Sequence, residues 1–400
     1  MATLFPFNSR TVVAVILVFF GFSSEFGLLN QVSALGINYG QVANDLPSPE
    51  QVLRLLSSLR ITKTRIYDTN PRVLAAFAGS GIDLIVTTPN EAVAGLADPA
   101  RALQWVSTNI IPFIPATRIT GIAVGNEVFT SDDETLMANL VPAMVSLQQA
   151  LVRHGLDSSI HVSTANSLAV LSNSYPPSLG SFRPELAMVI EPLLHFLSDT
   201  GAPFWINAYP YFAYKDDPQR VPLEYAIFGS GSVMVDPNTG LHYDNMLYAQ
   251  VDAVVFAIAR FGYEEIEVRV SETGWPSKGD EDEIGATVEN AKIYNRNLVA
   301  RQMEEEGTPL RPKPKLEVYL FALFNEDLKP GPTSERNYGL YQPDGTMAYN
   351  VGLSAAATSA ASLSNLNSSA LRTHGKKRSC LCYWITSISI AIYVLVMKTM

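Results

Sequence analysis

Cysteine is almost absent from this chain. Of its 400 residues only two are cysteines, Cys380 and Cys382, and both lie near the C-terminus. The region from residue 35 to 370 has none. Small secreted domains need disulfide bonds to be stable, whereas a region of this length can bury enough apolar surface without them. The scarcity of cysteine excludes a disulfide scaffold and a zinc site built on thiolates.

Other chemistries are excluded in the same way. The five histidines show no spacing suited to a metal site, so we expect no metal. No G-x-S-x-G segment exists for a nucleophilic serine on a strand-to-helix turn. The formal net charge is −10, and no basic stripe occurs outside the C-terminal tail, so we expect no nucleic-acid partner.

The N-terminus has the pattern of a secretory signal peptide. An uncharged apolar run from residue 11 to 22 follows Arg10, and the small residues Ser33 and Ala34 come after it. This run is short for a membrane span and typical of a signal peptide. We predict cleavage near Ala34, which makes residues 1–34 the signal peptide; an uncleaved signal anchor is the alternative.

The C-terminus has the pattern of a lipid-anchor signal. A Ser/Ala-rich linker at residues 353–370 is followed by a basic spacer, 372–378, and an apolar tail, 380–397. This order is typical of a glycosylphosphatidylinositol (GPI) attachment signal, whose tail, here residues 371–400, is removed. A permanent membrane helix is the alternative, but it would place the basic spacer on the lumenal side.

The small residues before the spacer are the predicted attachment site. Ser368 is the expected attachment residue, with Asn367 and Ser369 as alternatives. Together the two terminal signals predict a protein on the outer face of the plasma membrane, facing the cell wall.

Eight short apolar segments, each able to form a strand, recur between residues 35 and 352. They alternate with segments whose apolar residues have helical spacing. The predicted strands are Leu35–Tyr39, Thr64–Tyr67, Asp83–Thr88, Gly121–Val128, His161–Ala165, Phe204–Tyr209, Glu267–Glu272 and Glu317–Phe324.

The helical segments have recognisable starts. Ser48 can cap a helix that has Pro49 at its first position and Gln51 in a capping box. Further helices are predicted at Pro99–Asn109, Thr135–His154, Pro184–Ser198, Asn245–Phe261 and Ala286–Glu306. Alternating strands and helices predict a parallel sheet covered by helices, and eight repeats favour a single-domain (β/α)₈ (TIM) barrel. The long segment 210–242 is expected to form a cleft wall.

Four carboxylates end predicted strands: Asp68, Glu127, Glu272 and Glu326. Burying a carboxylate is costly unless it is hydrogen-bonded or paired. In a closed barrel the carboxyl ends of the fourth and seventh strands can place Glu127 and Glu272 across one pocket. Hydrolysis of a glycosidic bond requires two such carboxyls, one protonated and one ionised. The alternative is that each glutamate only bonds backbone amides at its strand end.

Aromatic residues cluster beside these strand ends. Five of the ten residues from 205 to 214 are aromatic, and Trp275 follows Glu272 closely. Aromatic rings can stack on the apolar faces of sugars, although such clusters also occur in protein cores. The pattern leaves both possibilities open.

Several motifs, in one order, resemble the plant endo-β-1,3-glucanases of glycoside hydrolase family 17. The resemblance covers residues 35 to 352. It is carried by GINYGQVANDLPSP (36–49), RIYD (65–68), AVGNEV (123–128), INAYPYF (206–212), VSETGWPSKGD (270–280) and FNEDLKPGPTSERNYGLY (324–341). It implies a (β/α)₈ barrel, retaining hydrolysis of β-1,3-glucan, and no cofactor.

The resemblance also implies roles for individual residues. Glu272 corresponds to the family's nucleophile and Glu127 to its acid/base. Asn126 is implied to bond the sugar 2-hydroxyl, and Lys329 and Glu335 to form a charged support. The full set implied to bind substrate is Tyr39, Asn126, Tyr209, Trp275, Glu326, Lys329 and Glu335.

The chain departs from many anchored relatives because no Cys-rich carbohydrate-binding module follows the barrel region. We expect a monomer whose only glucan-binding surface is the barrel cleft. Two alternatives stay open: a glucan-binding surface protein without turnover, and a hydrolase of mixed-linkage β-1,3-1,4-glucan. The acidic run 280–283 is expected to be a solvated rim without a role.

Overall fold

A closed barrel of eight parallel strands forms the centre of the molecule. The computed structural model describes residues 35–304 and 306–353. The predicted signal peptide, the predicted attachment residues Asn367, Ser368 and Ser369, and the C-terminal tail lie outside the described residues. The strands are β1 (Leu35–Tyr39), β2 (Lys63–Ile66), β3 (Asp83–Thr88), β4 (Arg118–Asn126), β5 (His161–Ser167), β6 (Phe204–Asn207), β7 (Val268–Thr273) and β8 (Val318–Leu320).

The barrel closes because β1 pairs in parallel with both β2 and β8. All eight predicted strands are present, and the TIM-barrel prediction is confirmed. The largest difference is at β8, which is regular only over Val318–Leu320 although a strand was expected from Glu317 to Phe324. The Phe321 N–H still donates to Thr273 at the end of β7, but beyond it the Ala322 N–H donates to Tyr338 and the Leu323 N–H to Asn38, so the regular strand ends.

Ten helices surround the strands within the described residues. They are α1 (Pro49–Ser58), α2 (Pro71–Ala76), α3 (Asn90–Leu96), α4 (Pro99–Asn109), α5 (Glu134–Arg153), α6 (Ala187–Thr200), α7 (Pro210–Asp216), α8 (Leu223–Ala226), α9 (Met246–Ala259) and α10 (Val288–Met303). Short 3₁₀ turns occupy Ile111–Phe113, Val128–Thr130, Leu168–Val170, Pro177–Leu179, Pro184–Leu186 and Thr333–Arg336. Two small hairpins pair Leu171–Asn173 with Ser181–Phe182 and Met234–Val235 with His242–Tyr243.

Local capping explains the helix starts. The Ser48 side chain accepts a hydrogen bond from the Gln51 N–H, and the Gln51 side-chain oxygen accepts one from the Ser48 N–H. The predicted capping box is therefore confirmed. The segment 210–242 was expected to be a loop, but α7 and α8 lie within it. These helices have only seven and four residues, too few for a helical period to be recognised in the sequence.

One helix, α5, is by length and composition alone apolar enough to cross a membrane, within the described part of the chain. Leu140, Met144 and Leu147 on this helix are completely buried in the protein. Their burial is typical of a helix that packs against the core of the barrel.

A layer of large and small side chains fills the barrel interior. Trp205 is 2 % exposed and packs with Ile85, Ala165 and Tyr319. Gly121 makes room for it, because a Cβ there would lie 3.0 Å from the indole ring. Trp205 is therefore a core residue, and the suggestion that it is part of a sugar-binding platform is wrong.

We expect Trp205→Ala to lower the free energy of unfolding by about 3–5 kcal/mol, because it removes buried apolar surface and leaves a cavity. Denaturant titration followed by circular dichroism measures this change. Met188→Ala is the control, since Met188 is 85 % exposed on α6 and its truncation should change stability by no more than about 0.5 kcal/mol. Equal effects of the two substitutions would contradict this assignment.

Candidate active site

Strand β4 ends in an abrupt turn that carries Glu127. Gly125 has a φ of +64°, and Glu127 itself is left-handed, with φ 54° and ψ 34°. The Glu127 N–H donates to the Ala165 carbonyl on β5 at 2.8 Å, which holds this conformation. A non-glycine residue in the left-handed region costs free energy, and such strain is concentrated at functional sites.

Glu272 lies on β7 and accepts three hydrogen bonds. Its Oε1 accepts from Arg65 Nη1 at 2.9 Å and from the Tyr67 hydroxyl at 2.8 Å. Its Oε2 accepts from the Tyr209 hydroxyl at 2.8 Å. Since all three partners donate and one is cationic, the arrangement suits an ionised carboxylate.

Arg65 links the nucleophile candidate to the neighbouring asparagine. Its Nη2 donates to Asn126 Oδ1 at 2.7 Å, while its Nη1 holds Glu272. With the Oδ1 atom of Asn126 occupied, Nδ2 is the end available to donate to a substrate hydroxyl. Arg65 therefore fixes the orientation of Asn126 as well as the carboxylate.

The Asn90 side chain holds the same turn by bonding to the backbone of Asn126. Its Oδ1 accepts from the Asn126 N–H at 2.8 Å, and its Nδ2 donates to the Asn126 carbonyl at 3.2 Å. Nothing in the sequence pattern points to Asn90, which lies 36 residues before Asn126 at the start of α3.

Arg65 and Tyr67 are two further site residues that were not predicted from the sequence, although their spacing could have indicated them. They are two residues apart on β2 and just beyond its end, so they face the same side. The Arg65 side chain has no exposed surface, and a buried arginine needs an anion as its partner; Glu272 is that anion.

Glu127 has a different environment from Glu272. Its Oε1 accepts from Asn207 Nδ2 at 2.9 Å, and Asn207 Oδ1 accepts in turn from the Ser271 hydroxyl at 2.7 Å. Burial raises the pKa of Glu127, and the negative charge of Glu272 raises it further, against the smaller opposite effects of Asn207 and Arg65. The protonated form of Glu127 is favoured, as a general acid requires.

Lys329 and Glu335 form an ion pair beside the two glutamates. Lys329 Nζ lies 2.8 Å from Glu335 Oε2 and 4.6 Å from the centre of the Phe321 ring. Burial alone would lower the pKa of Lys329, but the carboxylates of Glu335, Glu272 and Glu326 more than offset it and raise that pKa. The lysine is therefore a fixed positive charge at the site.

One cavity of about 140 Å³ collects most of the predicted residues. Its lining is Asn126, Glu127, Tyr209, Phe212, Glu272, Phe321, Lys329, Glu335 and Tyr338. Six of the nine residues predicted to be catalytic or to bind substrate lie in this lining. The other three, Tyr39, Glu326 and Trp275, do not.

Tyr39 and Glu326 lie around the β1 end of the barrel. Glu326 Oε1 accepts from the Val42 N–H at 3.0 Å, and Gly40 approaches so closely that a Cβ there would lie 2.2 Å from the carboxylate. Burial raises the pKa of Glu326. Glu326 thus holds the loop after β1. Tyr39 lines a separate cavity of about 200 Å³ next to Asn70, and burial raises its pKa to about 12.

Trp275 is not a surface for sugar stacking. It is 0 % exposed, and its Nε1 donates to the Gly285 carbonyl at 2.8 Å. It packs against Tyr211, which is also completely buried. Direct contact between Trp275 and substrate is therefore a wrong expectation; Tyr209 and Phe212, the latter 37 % exposed, are the aromatic residues of the 205–214 cluster that line the cleft.

The acidic run 280–283 was expected to be a solvated rim without a role; residues 280 to 282 are exposed as expected, but Glu283 is not, and two of the four acids bond to a neighbouring turn. Glu283 is buried, and its carboxylate accepts from the Ser334 N–H at 3.0 Å and from the Ser334 hydroxyl. Asp280 accepts from the Thr333 N–H at 2.9 Å. Both acids thus hold the Thr333–Arg336 turn that carries Glu335.

The arrangement defines a class of protein. It is a (β/α)₈ barrel with two glutamates at the carboxyl ends of strands β4 and β7, one held by three donors and one favoured as the acid. This is the pair of carboxyl groups required by glycoside hydrolases. Among the described residues, no group of three or more His, Cys, Asp or Glu could hold a metal ion.

The chain belongs to the glycosyl hydrolases family 17, whose model matches residues 35–353. It is 51 % identical over 322 residues to glucan endo-1,3-beta-glucosidase 11 of Arabidopsis thaliana, covering 80 % of this chain and 76 % of that relative. It is 54 % identical over 320 residues to glucan endo-1,3-beta-glucosidase 14 of the same plant, covering 80 % of this chain and 82 % of that relative.

Solved structures agree with this assignment. A beta-1,3-glucanase and pollen allergen of Cryptomeria japonica superposes with a TM-score of 0.77 at 41 % identity, over 81 % of this chain and all of that chain. One of two plant beta-glucan endohydrolases with distinct substrate specificities superposes with a TM-score of 0.72 at 38 % identity, over 77 % of this chain and 97 % of that one.

The electrostatic coupling of the two glutamates gives a prediction for pH titration. Since the charge of Glu272 raises the pKa of Glu127, Glu272→Gln should lower that pKa. Titration of ¹³C-labelled glutamate carboxyls by NMR measures it directly. The control is Glu134→Gln at the exposed start of α5, which should leave the pKa of Glu127 unchanged. A Glu127 titration that is identical in Glu272→Gln and in the parent would contradict the coupling.

Proposed function

We propose that this chain is a retaining endo-β-1,3-glucanase with Glu272 as nucleophile and Glu127 as general acid/base. The observation that carries the proposal is the contrast between the two carboxyls in one cavity: Glu272 accepts three hydrogen bonds, whereas burial and a neighbouring charge favour the proton on Glu127. The β-1,3-glucan specificity is supported by the names of the similar plant enzymes.

In the first step Glu272 attacks the anomeric carbon while Glu127 transfers its proton to the leaving oxygen. The glycosidic bond breaks, and a covalent glycosyl ester forms on Glu272. Positive charge develops on the sugar ring, and the 2-hydroxyl can accept or donate a strengthened hydrogen bond there. Asn126 Nδ2, left available by Arg65, is placed to donate to that hydroxyl.

In the second step Glu127 acts as a base. Esterification removes the negative charge of Glu272, and with it one cause of the raised pKa of Glu127, so the ionised form becomes more favourable. Glu127 then takes a proton from water as the water attacks the anomeric carbon. Glu272 leaves as a carboxylate, and two inversions give net retention.

Endo-cleavage requires a cleft that is open to chain segments on both sides of the reacting bond. The cavity that contains both glutamates shares Glu127, Tyr209 and Phe212 with a neighbouring cavity of about 380 Å³.

A second substrate, mixed-linkage β-1,3-1,4-glucan, calls for a parallel assay because the superposed plant endohydrolase is described as one of two with distinct substrate specificities. We expect release of reducing sugar from linear β-1,3-glucan at a higher rate than from mixed-linkage glucan. A protein that folds and binds either glucan without releasing sugar would instead be a binding protein.

The roles of the two glutamates can be separated by azide rescue of alanine variants. We expect Glu127→Ala to lower the rate on β-1,3-glucan by about 10²–10⁴-fold, because the leaving oxygen is no longer protonated. With 2,4-dinitrophenyl β-laminaribioside, whose leaving group needs no proton, azide should restore turnover of Glu127→Ala and give the β-glycosyl azide. Glu272→Ala with azide should give the α-glycosyl azide.

NMR of the anomeric proton identifies each azide product, and Glu134→Ala provides a control outside the site. The opposite assignment of products would reverse the roles of the two glutamates. Formation of an inverted product by the parent enzyme would rule out the retaining mechanism.

We also propose that the mature protein is secreted and held on the outer face of the plasma membrane by a GPI anchor. The support is the order of sequence features near the C-terminus: small residues around Ser368, a basic spacer, and an apolar tail. An anchored enzyme would act on glucan of the adjoining wall.

We expect phosphatidylinositol-specific phospholipase C to release the glucanase activity from membranes of cells that express the full chain. Replacing Asn367, Ser368 and Ser369 together by leucine should prevent attachment, since the site requires small residues. Ser362→Leu, in the same linker, is the matched control. Activity that stays in the membrane after lipase treatment and is extracted only by detergent would show a permanent membrane helix.

A further inference from the structure

A second cavity adjoins the catalytic one and contacts only one of the two glutamates. It has a volume of about 380 Å³ and is lined by residues that include Glu127, Asn207, Phe212 and Gln250. Glu272 is not part of its lining. The volume lies in the range of ordinary ligand sites.

This asymmetry indicates which part of the substrate the cavity receives. On the proposed function, Glu127 protonates the oxygen of the leaving sugar, whereas Glu272 bonds to the sugar that stays on the enzyme. A cavity that contacts Glu127 and excludes Glu272 therefore lies on the leaving-group side of the bond.

Gln250 has an unusual position in this cavity. It lies on α9, between the buried residues Ala249 and Val251, and is only 7 % exposed. Its buried Oε1 has no hydrogen-bond partner within residues 35–304 and 306–353. A buried amide without a partner is destabilising, because its hydrogen bonds to water are lost and not replaced.

The side chain can nevertheless present either end of its amide to the cavity. Rotation about the terminal torsion of glutamine is soft, so the Oε1 and Nε2 atoms can exchange places. Sugar hydroxyls both donate and accept, so a hydroxyl in the cavity can bond whichever amide atom of Gln250 faces it.

We propose that Gln250 is a specificity-determining residue that hydrogen-bonds a hydroxyl group of the leaving-group glucosyl unit. Phe212, 37 % exposed on α7, offers an apolar ring to the same cavity. Because Gln250 is on a buried helix, its position is fixed before substrate arrives, which favours discrimination between linkages.

A matched control is available elsewhere in the chain. Gln302 on α10 is 2 % exposed, and neither its Oε1 nor its Nε2 has a partner within the described residues. It is not part of the lining of either cavity at the cleft. Gln302→Met therefore reproduces the loss of a buried unpaired amide without changing the proposed sugar contact.

The test compares Gln250→Met with Gln302→Met on two substrates. Reducing-end ¹⁸O-labelled laminarihexaose fills the leaving-group side with sugar, and mass spectrometry gives the frequency with which each bond is cut. β-Laminaribiosyl fluoride has a leaving group of one atom and places no sugar in the second cavity. We expect Gln250→Met to lower kcat/KM for the hexaose about 3- to 10-fold, as for the loss of one neutral hydrogen bond, and to shift the cleavage pattern. The fluoride rate should change less than twofold.

Gln302→Met should leave both rates and the cleavage pattern unchanged. If Gln250→Met has the parent's cleavage pattern and hexaose rate, the amide binds only water or nothing, and the proposal is overturned. Equal losses on hexaose and fluoride also overturn it, because they indicate a general disturbance of the site. A parent enzyme that turns over neither substrate would instead overturn the proposed function, and this inference with it.

Discussion

The buried ion pair between Arg65 and Glu272 is the interaction on which the rest of the site depends. The Arg65 side chain has no exposed surface, and its Nη1 lies 2.9 Å from the Glu272 carboxylate. Two charges withdrawn from water stabilise a fold better when more of their remaining hydrogen-bonding positions are occupied; here only Arg65 Nε, among the guanidinium nitrogens, has no partner within the described residues. Tyr67 and Tyr209 supply donors to the carboxylate, and Asn126 accepts from the other guanidinium nitrogen. Residues from four strands or strand ends are therefore fixed around one charge pair before any substrate is bound.

The same pair sets the division of labour between the two glutamates. Arg65 stabilises the negative charge of Glu272, and that charge disfavours ionisation of Glu127. On the proposed mechanism, a single electrostatic arrangement thus prepares both an ionised nucleophile and a protonated acid. The effect of the Glu272 charge on Glu127 is also reversible, since forming the glycosyl ester removes the charge that kept the proton on Glu127. On the proposed mechanism, the loss of its neighbour's charge favours the change of Glu127 from acid to base.

The parts of this molecule that could be predicted from sequence are those encoded locally. The capping box at Ser48 and the alternation of apolar strands and helices involve residues close in the chain, and they indicate the barrel. Glu127 and Glu272 are recognisable because each follows an apolar strand. In contrast, Glu283 was expected to be solvated, because runs of acids usually are; its burial depends on Ser334, 51 residues further on. Trp275 could equally have been a platform or a core residue, since its sequence neighbours do not reveal that Gly285 covers its indole nitrogen. Side-chain partners across the barrel are long-range, and a hydrophobic pattern carries no information about them.

The proposed chemistry and the proposed recognition of the leaving sugar lie on different elements. Both glutamates and Arg65 lie on strands or at strand ends, where the closed ladder resists displacement. Phe212 and Gln250, in contrast, are on helices α7 and α9, outside the strand ladder. A substitution on these helices can change which glucan segment fits without disturbing the ion pair that prepares the carboxylates. Such a separation would allow the specificity of the barrel to change while its pair of glutamates stays in place. The strands hold the two carboxylates, and the outer helices and loops select the glucan on which the carboxylates act.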